Sequence, residues 1–285
     1  MKKLVFPTDF SEASVLALPV AAQIARTLSL ELHLVHVLSP RFQTTNAQYG
    51  ATLSRLEHSF DELQLQPYLS GIQVHAHVIT GTSPADLLND NRFAKADLIV
   101  MSSRGATGLK ETLLGSHAEH LIRSASMPVL VLKKAPASVG FKTVVFASDF
   151  TDDYGDSVDF LQTLLSKFDN AVIHLLFVNT LSRFEQTSEV KARMDTFAKE
   201  HKLDGCTFNL QDDFEIETGL LSFAMEKQAD LIVLGTHGRR GLRHLFSGSI
   251  AEDVANHASI PVLTLPLKSD PIRIRVLSGP APGMI

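Results

Sequence analysis

The sequence predicts an α/β protein in which one parallel-sheet unit is built twice. Three observations carry this. The pentapeptide Ala-Asp-Leu-Ile-Val occurs at Ala96–Val100 and again at Ala229–Val233. Each copy runs into a small-residue loop, Met101-Ser102-Ser103-Arg104-Gly105 in one half and Leu234-Gly235-Thr236-His237-Gly238 in the other. After nine further residues each loop is followed by Gly-Ser, at Gly115-Ser116 and Gly248-Ser249. A repeat has to be recognised before any element is assigned, because it sets the unit of the fold.

The elements follow in matched order. Each half opens on a short apolar strand, Leu4–Asp9 and Val144–Asp149, with Phe10-Ser11 or Phe150-Thr151 behind it. Ser11 and Thr151 are the expected N-caps of the first helices. Apolar residues recur there at helical spacing, at Val15, Leu18, Ala22 and Ala25 and at Val158, Leu161, Leu164 and Leu165. The second strands, Glu31–Leu38 and Ala171–Val178, are near-continuous apolar runs, the pattern of parallel strands covered on both faces. Second helices are expected over Ala47–Leu65 and Ser182–Lys202, third strands over Gln73–Ile79 and Thr207–Leu210, and third helices over Pro84–Phe93 and Ile216–Lys227. The repeated pentapeptides are the fourth strands. Final helices start near Ser116 and Ser249, and the last strands are Pro128–Leu132 and Pro261–Leu265.

The first half carries about eight extra residues between its second and fourth strands, a span that includes the polar stretch Arg41–Ala51, read as a mobile loop or lid. The expected organisation is a first domain over 1–134, a second over 141–267 and a tail over 268–285. The short join Lys133–Gly140 should hold the domains against each other. In the tail, Ser278–Gly283 reads as a flexible segment and Ile272–Leu277 as an edge strand. Alternating strands and helices argue for a parallel sheet in each domain. Ligands of such sheets bind at the carboxyl rim, where strand order reverses.

Composition narrows the function classes. The 285 residues are 45% hydrophobic and 20% charged, ordinary for a globular protein of two domains. A net charge of −5 gives no electrostatic footprint for nucleic acid. No apolar run approaches the ~20 residues of a membrane span. The start, Met1-Lys2-Lys3, soon meets Asp9 and Glu12 and does not read as a signal-peptide core. The single cysteine, Cys206, fits a reducing compartment, so a cytoplasmic protein is expected.

The glycine loops suggest an anion site. Gly235 and Gly238 flank Thr236-His237 just past the fourth strand, where glycine lets backbone approach a ligand and adopt positive φ. Gly248-Ser249 precedes the apolar-periodic run Ile250–His257, which puts unpaired N–H groups at a helix N-terminus, and phosphate is the natural occupant. The spacing is neither that of a Walker loop, since no Gly-Lys-Ser or Gly-Lys-Thr occurs, nor that of the Gly-x-Gly-x-x-Gly fingerprint.

Gly235, two residues, Gly238, nine residues, Gly248 and Ser249, together with the opening Pro7-Thr8-Asp9-Phe10-Ser11, resemble the universal stress protein family in its tandem-domain form. The resemblance covers about residues 1–265. It implies two Rossmann-like domains of the adenine nucleotide alpha hydrolase-like type, each a five-stranded parallel sheet of order 3-2-1-4-5 with helices on both faces. It also implies an intramolecular pseudo-dimer meeting through the fifth strands, and leaves a further homodimer open. By the same resemblance ATP, with Mg, is the cofactor. Asp149 and the backbone of Val178 would face adenine, Leu234 and Gly235 the ribose, and Gly238, Gly248, Ser249 and Ile250 the phosphates. The matching first-half positions are Asp9, Val37, Met101, Ser102, Gly105, Gly115, Ser116 and His117. Ser102 replaces the leading glycine there, so the second half is the better nucleotide site.

Plainer readings stand beside these. The glycines can be tight turns only, and Asp9 and Asp149 can be local caps. Arg239, Arg240 and Arg243 read as a solvated loop face. His36 reads as a satisfied core histidine and Cys206 as an inert buried residue. His75 and His77 can share a strand face, and His117 and His120 lie one helical turn apart. No sequence-local third ligand of zinc spacing accompanies either pair, so no metal site is expected. No catalytic residue can be named, and slow ATP hydrolysis is the most activity expected. The functional expectation is a nucleotide-binding stress protein that regulates an unidentified protein partner when ATP–Mg orders the loops around Gly235–Ser249. A nucleotide-free interaction scaffold and a weak ATPase are the alternatives.

Overall fold

The computed structural model describes residues 2–40, 46–102, 116–133, 140–168, 170–236 and 247–268, the side chains of 46, 47, 116, 117 and 247–249 excepted. The first half contains β1 (Lys3–Pro7), α1 (Glu12–Leu28), β2 (Glu31–Leu38), α2 (Asn46–Gln64), β3 (Val74–Thr80), a 3-10 turn (Pro84–Asn89), β4 (Leu98–Ser102), α3 (Ser116–Ser124) and β5 (Val129–Leu132). The second contains β6 (Thr143–Ala147), α4 (Asp156–Leu165), β7 (Val172–Asn179), α5 (Thr187–Glu200), β8 (Thr207–Asp212), α6 (Ile216–Glu226), β9 (Leu231–Thr236), α7 (Ser247–His257) and β10 (Val262–Pro266).

The strands form one sheet in the order β3-β2-β1-β4-β5-β10-β9-β6-β7-β8. Each half therefore has the 3-2-1-4-5 order. All neighbouring pairs are parallel except β5 with β10, which run antiparallel with Val131 opposite Val262 and Leu130 opposite Leu263. The halves are joined edge to edge, and their fifth strands hide each other's unpaired backbone groups.

Alternation along the strands builds two cores. Leu4, Phe6, Leu32 and Leu34 pack on one face with α1, α2, α4 and α5. Val5, Val35, Ile99 and Val129 pack on the other with the 3-10 turn, α3, α6 and α7. Fully buried side chains such as Phe6, Phe93 and Phe146 each contribute roughly 1.5–3 kcal/mol through the water they shed. On the second face Arg123 of α3 meets Glu252 of α7 in a two-pronged pair, with Nε to Oε1 at 2.8 Å and Nη2 to Oε2 at 2.5 Å.

The repeated pentapeptide has a mechanical reason. Asp97 accepts the Lys3 N–H at 2.7 Å, and its own N–H donates to the Lys3 carbonyl at 2.9 Å. Asp230 accepts from the N–H groups of Lys142 at 2.9 Å and Thr143 at 3.2 Å, and its N–H donates to the Thr143 carbonyl. In both halves the aspartate clamps the head of the fourth strand to the head of the first.

Several expectations are corrected. Ser11 caps α1, its side chain accepting the Ser14 N–H, but Thr151 does not cap α4. That helix starts after Gly155, whose φ is +50°, because Asp153 Oδ1 accepts the Gly155 N–H at 2.7 Å and turns the chain first. Residues 46–51 of the stretch read as a lid begin α2. The third helix expected over Pro84–Phe93 is only a 3-10 turn closed at Asp90, whose side chain takes the Arg92 N–H. Residues 41–45, the join 134–139 and Ile272–Leu277 lie outside the described residues. Among the described residues no helix is long and apolar enough to cross a membrane.

Candidate functional site

The carboxyl ends of β1 and β6 carry the same turn. Thr8 Oγ1 accepts the Phe10 N–H at 3.0 Å, and Ser148 Oγ accepts the Phe150 N–H at 2.9 Å. Asp9 Oδ1 takes the Ser11 N–H and hydroxyl, and Asp149 Oδ1 takes those of Thr151. Phe10 and Phe150 both sit at φ 59°, a left-handed conformation that a bulky residue adopts only when its surroundings impose it. Ring packing supplies that constraint, Phe10 against Phe60 and Phe150 against Phe197. The turn thus holds an aspartate at the point where strand order reverses, between β1 and β4 or between β6 and β9. Oδ1 of each aspartate closes a local turn two residues on, and neither aspartate is a helix cap, since Ser11 caps α1 and Gly155 precedes α4. Asp149 is half-buried and Asp9 exposed.

In the second half one cleft gathers Asp149 from the turn, Val178 from β7, Leu234 and Gly235 from β9 and Ile250 from the first turn of α7. Gly248 and Ser249 fall in that same first turn, where helix N–H groups lack intrahelical partners. Gly238 and the arginines 239, 240 and 243 lie outside the described residues. In the first half Asp9, Val37 and Met101 stand at the matching strand ends, with Met101 buried and Val37 half-buried. Gly105 and Gly115 lie outside the described residues, and Ser116 opens α3.

Gly235 requires a correction. It is not a positive-φ residue, and it belongs to β9. A Cβ there would stand 2.6 Å from the Tyr154 hydroxyl and 3.1 Å from Leu267 Cδ2. The absent side chain therefore makes room for Tyr154, which is buried and donates to Ser148 Oγ at 3.0 Å. Burial pushes the Tyr154 phenol above its ordinary pKa, so it remains a donor. In the first half Ser14 takes the same role, its hydroxyl 2.9 Å from Thr8 Oγ1. Tyr154 takes the space at Gly235, and the matching first-half positions hold Ser14 and Ser102.

Sequence reasoning missed Asp152, Tyr154, Arg183 and Glu185, which also line the cleft. Tyr154 stands between the expected cap Thr151 and the first periodic residue Val158, where the sequence singles out nothing. Arg183 and Glu185 follow β7 at the carboxyl rim, a position that topology could have marked. Glu185 is held by Arg193 at 2.6 Å and by its N–H to Asn179 Oδ1 at 2.9 Å. The described walls carry the carboxylates Asp149, Asp152 and Glu185 against the guanidinium of Arg183, so they do not by themselves attract a polyphosphate.

His36 is half-buried, and its Nδ1 lies 2.9 Å from the Thr8 carbonyl, which satisfies it. Cys206 is half-buried, and burial raises its thiol above the ordinary range, away from a nucleophilic thiolate.

The family model described as the universal stress protein family matches residues 1–133 and 211–266, more than half of the chain. The chain belongs to the universal stress protein family. Universal stress protein Slr1230 of Synechocystis is 24% identical over 295 residues, covering 93% of this chain and 99% of that protein. Universal stress protein MJ0531 of Methanocaldococcus jannaschii is 33% identical over 140 residues, 47% of this chain and 82% of its own length. The crystal structure of a universal stress protein from Archaeoglobus fulgidus has a TM-score of 0.72 at 19% identity, covering 93% of this chain and 98% of that one, a likeness of fold. The stretch that the universal stress family model leaves unmatched holds β6, β7, Asp149 and Tyr154, where α4 starts late.

Proposed function

We propose that the second-half cleft binds an adenine nucleotide, ATP with Mg, and that occupancy regulates a protein partner in the cytoplasm. What supports this reading is one observation: Asp149, Val178, Leu234, Gly235 and Ile250, implicated by the family resemblance, line a single cleft at the strand-order reversal. The half-buried Asp149 carboxylate suits the exocyclic amine of adenine. Val178, Ile216 and Leu234 supply apolar walls for the base. The first turn of α7 supplies N–H groups and a dipole for phosphate. Because three carboxylates face the cleft, a divalent cation must accompany the polyphosphate. We assign the two units to 1–134 and 141–267, with 268–285 as a tail, and name no catalytic residue.

A second reading, a nucleotide-free interaction scaffold, is favoured by the packing of Tyr154 and Leu267 into the space beside Gly235. Fluorescent ATP analogue binding to nucleotide-stripped protein separates the two. The nucleotide reading expects saturable binding displaced by ATP and not by GTP, whose ring carbonyl would face Asp149. Absence of saturable binding supports the scaffold.

A further inference from the structure

At the opposite, amino end of the sheet, β2 and the edge strand β3 bring four polar side chains together. The two strands run parallel with His33 opposite His75 and Val35 opposite His77. Alternation then sends Glu31, His33, His75 and His77 to one face. Glu31 Oε2 lies 3.5 Å from His33 Nε2 and 3.7 Å from His75 Nε2. These separations are long for hydrogen bonds, and both Nε2 atoms are buried without a hydrogen-bond partner. The His33 side chain is only 7% exposed. Buried polar atoms of this kind are uncommon and call for an explanation.

The spacing supplies one. Two ligand atoms of a tetrahedral zinc ion at ~2.1 Å stand ~3.4 Å apart. The carboxylate oxygen and the two ring nitrogens all fall within 4.8 Å of one another. We propose that Glu31, His33 and His75 form a binding site for one zinc-class divalent cation, through Glu31 Oε2 and the two Nε2 atoms.

The surroundings fit. His33 Nδ1 stands 3.0 Å from His77 Nε2, and the rings stack with centroids 5.2 Å apart. With His33 Nδ1–H donating to His77, the Nε2 lone pair of His33 points toward Glu31. Such an outer hydrogen bond orients a metal-ligating histidine. Phe93 braces both rings edge-on. The nearby cations are engaged elsewhere, Lys3 with the Arg92 carbonyl and Arg92 with the Asp90 carboxylate. The His75 side chain is 37% exposed, so the cluster lies near the surface, and three protein ligands leave a fourth zinc position for water.

The second half is an internal contrast. His174, paired in register with Thr207, takes the place of His33, and its Nδ1 lies 2.7 Å from the Thr207 hydroxyl. Val172 and Asn209 stand where the first half has Glu31 and His77. That arrangement offers no three-ligand set. From the sequence only His75 of the three was in view, because Glu31 and His33 come from a different strand.

The test is titration of metal-stripped full-length protein with Zn²⁺ by calorimetry and with Co²⁺ by visible absorption. The expected result is one ion per chain, with four-coordinate Co²⁺ bands abolished by Zn²⁺. His75→Ala and Glu31→Gln each weaken binding at least ~10-fold, while His58→Ala, on the exposed face of α2, changes nothing. His33→Asn removes a buried ring and can unfold the chain, so the half-exposed His75 carries the decision. No stoichiometric binding by the wild type, or binding unaltered in folded His75→Ala and Glu31→Gln proteins, overturns the proposal.

Discussion

The Tyr154 hydroxyl lies 2.6 Å from where a side chain at Gly235 would begin. The glycine and the tyrosine are thus one packing unit, and the matching first-half positions hold Ser102 and Ser14. Gly235→Ser is expected to destabilise the protein by about 1–3 kcal/mol through overpacking. In a Tyr154→Ser background the same change should be nearly neutral, because the pair then copies the first half. Urea unfolding of the two single variants and the double variant measures the coupling. Additive effects would show that the two residues do not compete for space.

The aspartates of the repeated pentapeptide are structural clamps. Asp97→Ala or Asp230→Ala strands backbone N–H groups at the strand heads and is expected to lower stability by about 1–3 kcal/mol, without changing nucleotide affinity. Asp230 adds a pH signature. Burial raises its pKa above the ordinary carboxylate value of 3.8. The folded chain then binds this proton more tightly than the unfolded chain, so the stability added by protonation is full below that value and is lost as pH rises through the folded pKa. Asp230→Asn, neutral throughout, should remove that slope from unfolding free energies measured between pH 3 and 7.

Arg123 and Glu252 tie the helices that flank the β5–β10 junction. Glu252 is 8% exposed, while Arg123 is 63% exposed. Arg123→Ala leaves a nearly buried carboxylate alone, and the expected loss is about 1–2 kcal/mol, between the exposed-pair and buried-pair limits. Thermal unfolding at low and high salt checks this, and the wild-type advantage should shrink with salt.

Much of the sheet was legible because its signal is local. Glu31–Leu38 is a near-continuous apolar run and became β2, and the Leu-Ile-Val of the repeated pentapeptide opens β4 and β9. Helix α1 kept its Ser11 cap because the serine and the N–H it accepts from, that of Ser14, are neighbours in sequence. What was not legible depends on distant residues. The failure of Thr151 as a cap follows from Asp153 and Gly155 turning the chain so that Tyr154 can drop beside Gly235. The purpose of that glycine was misread for the same reason. His75 and His77 were visible as a strand face, but Glu31 and His33 join them only through the β2–β3 register.

We propose that the second half, and not the first, holds an adenine nucleotide. The most direct measurement is calorimetric titration of ATP–Mg into nucleotide-stripped protein, repeated with Asp149→Ala and the matching Asp9→Ala. One site per chain is expected, weakened at least ~10-fold (about 1.4 kcal/mol) by Asp149→Ala and unchanged by Asp9→Ala. Two sites, equal loss in both variants, or no binding by calorimetry and a second method would contradict it.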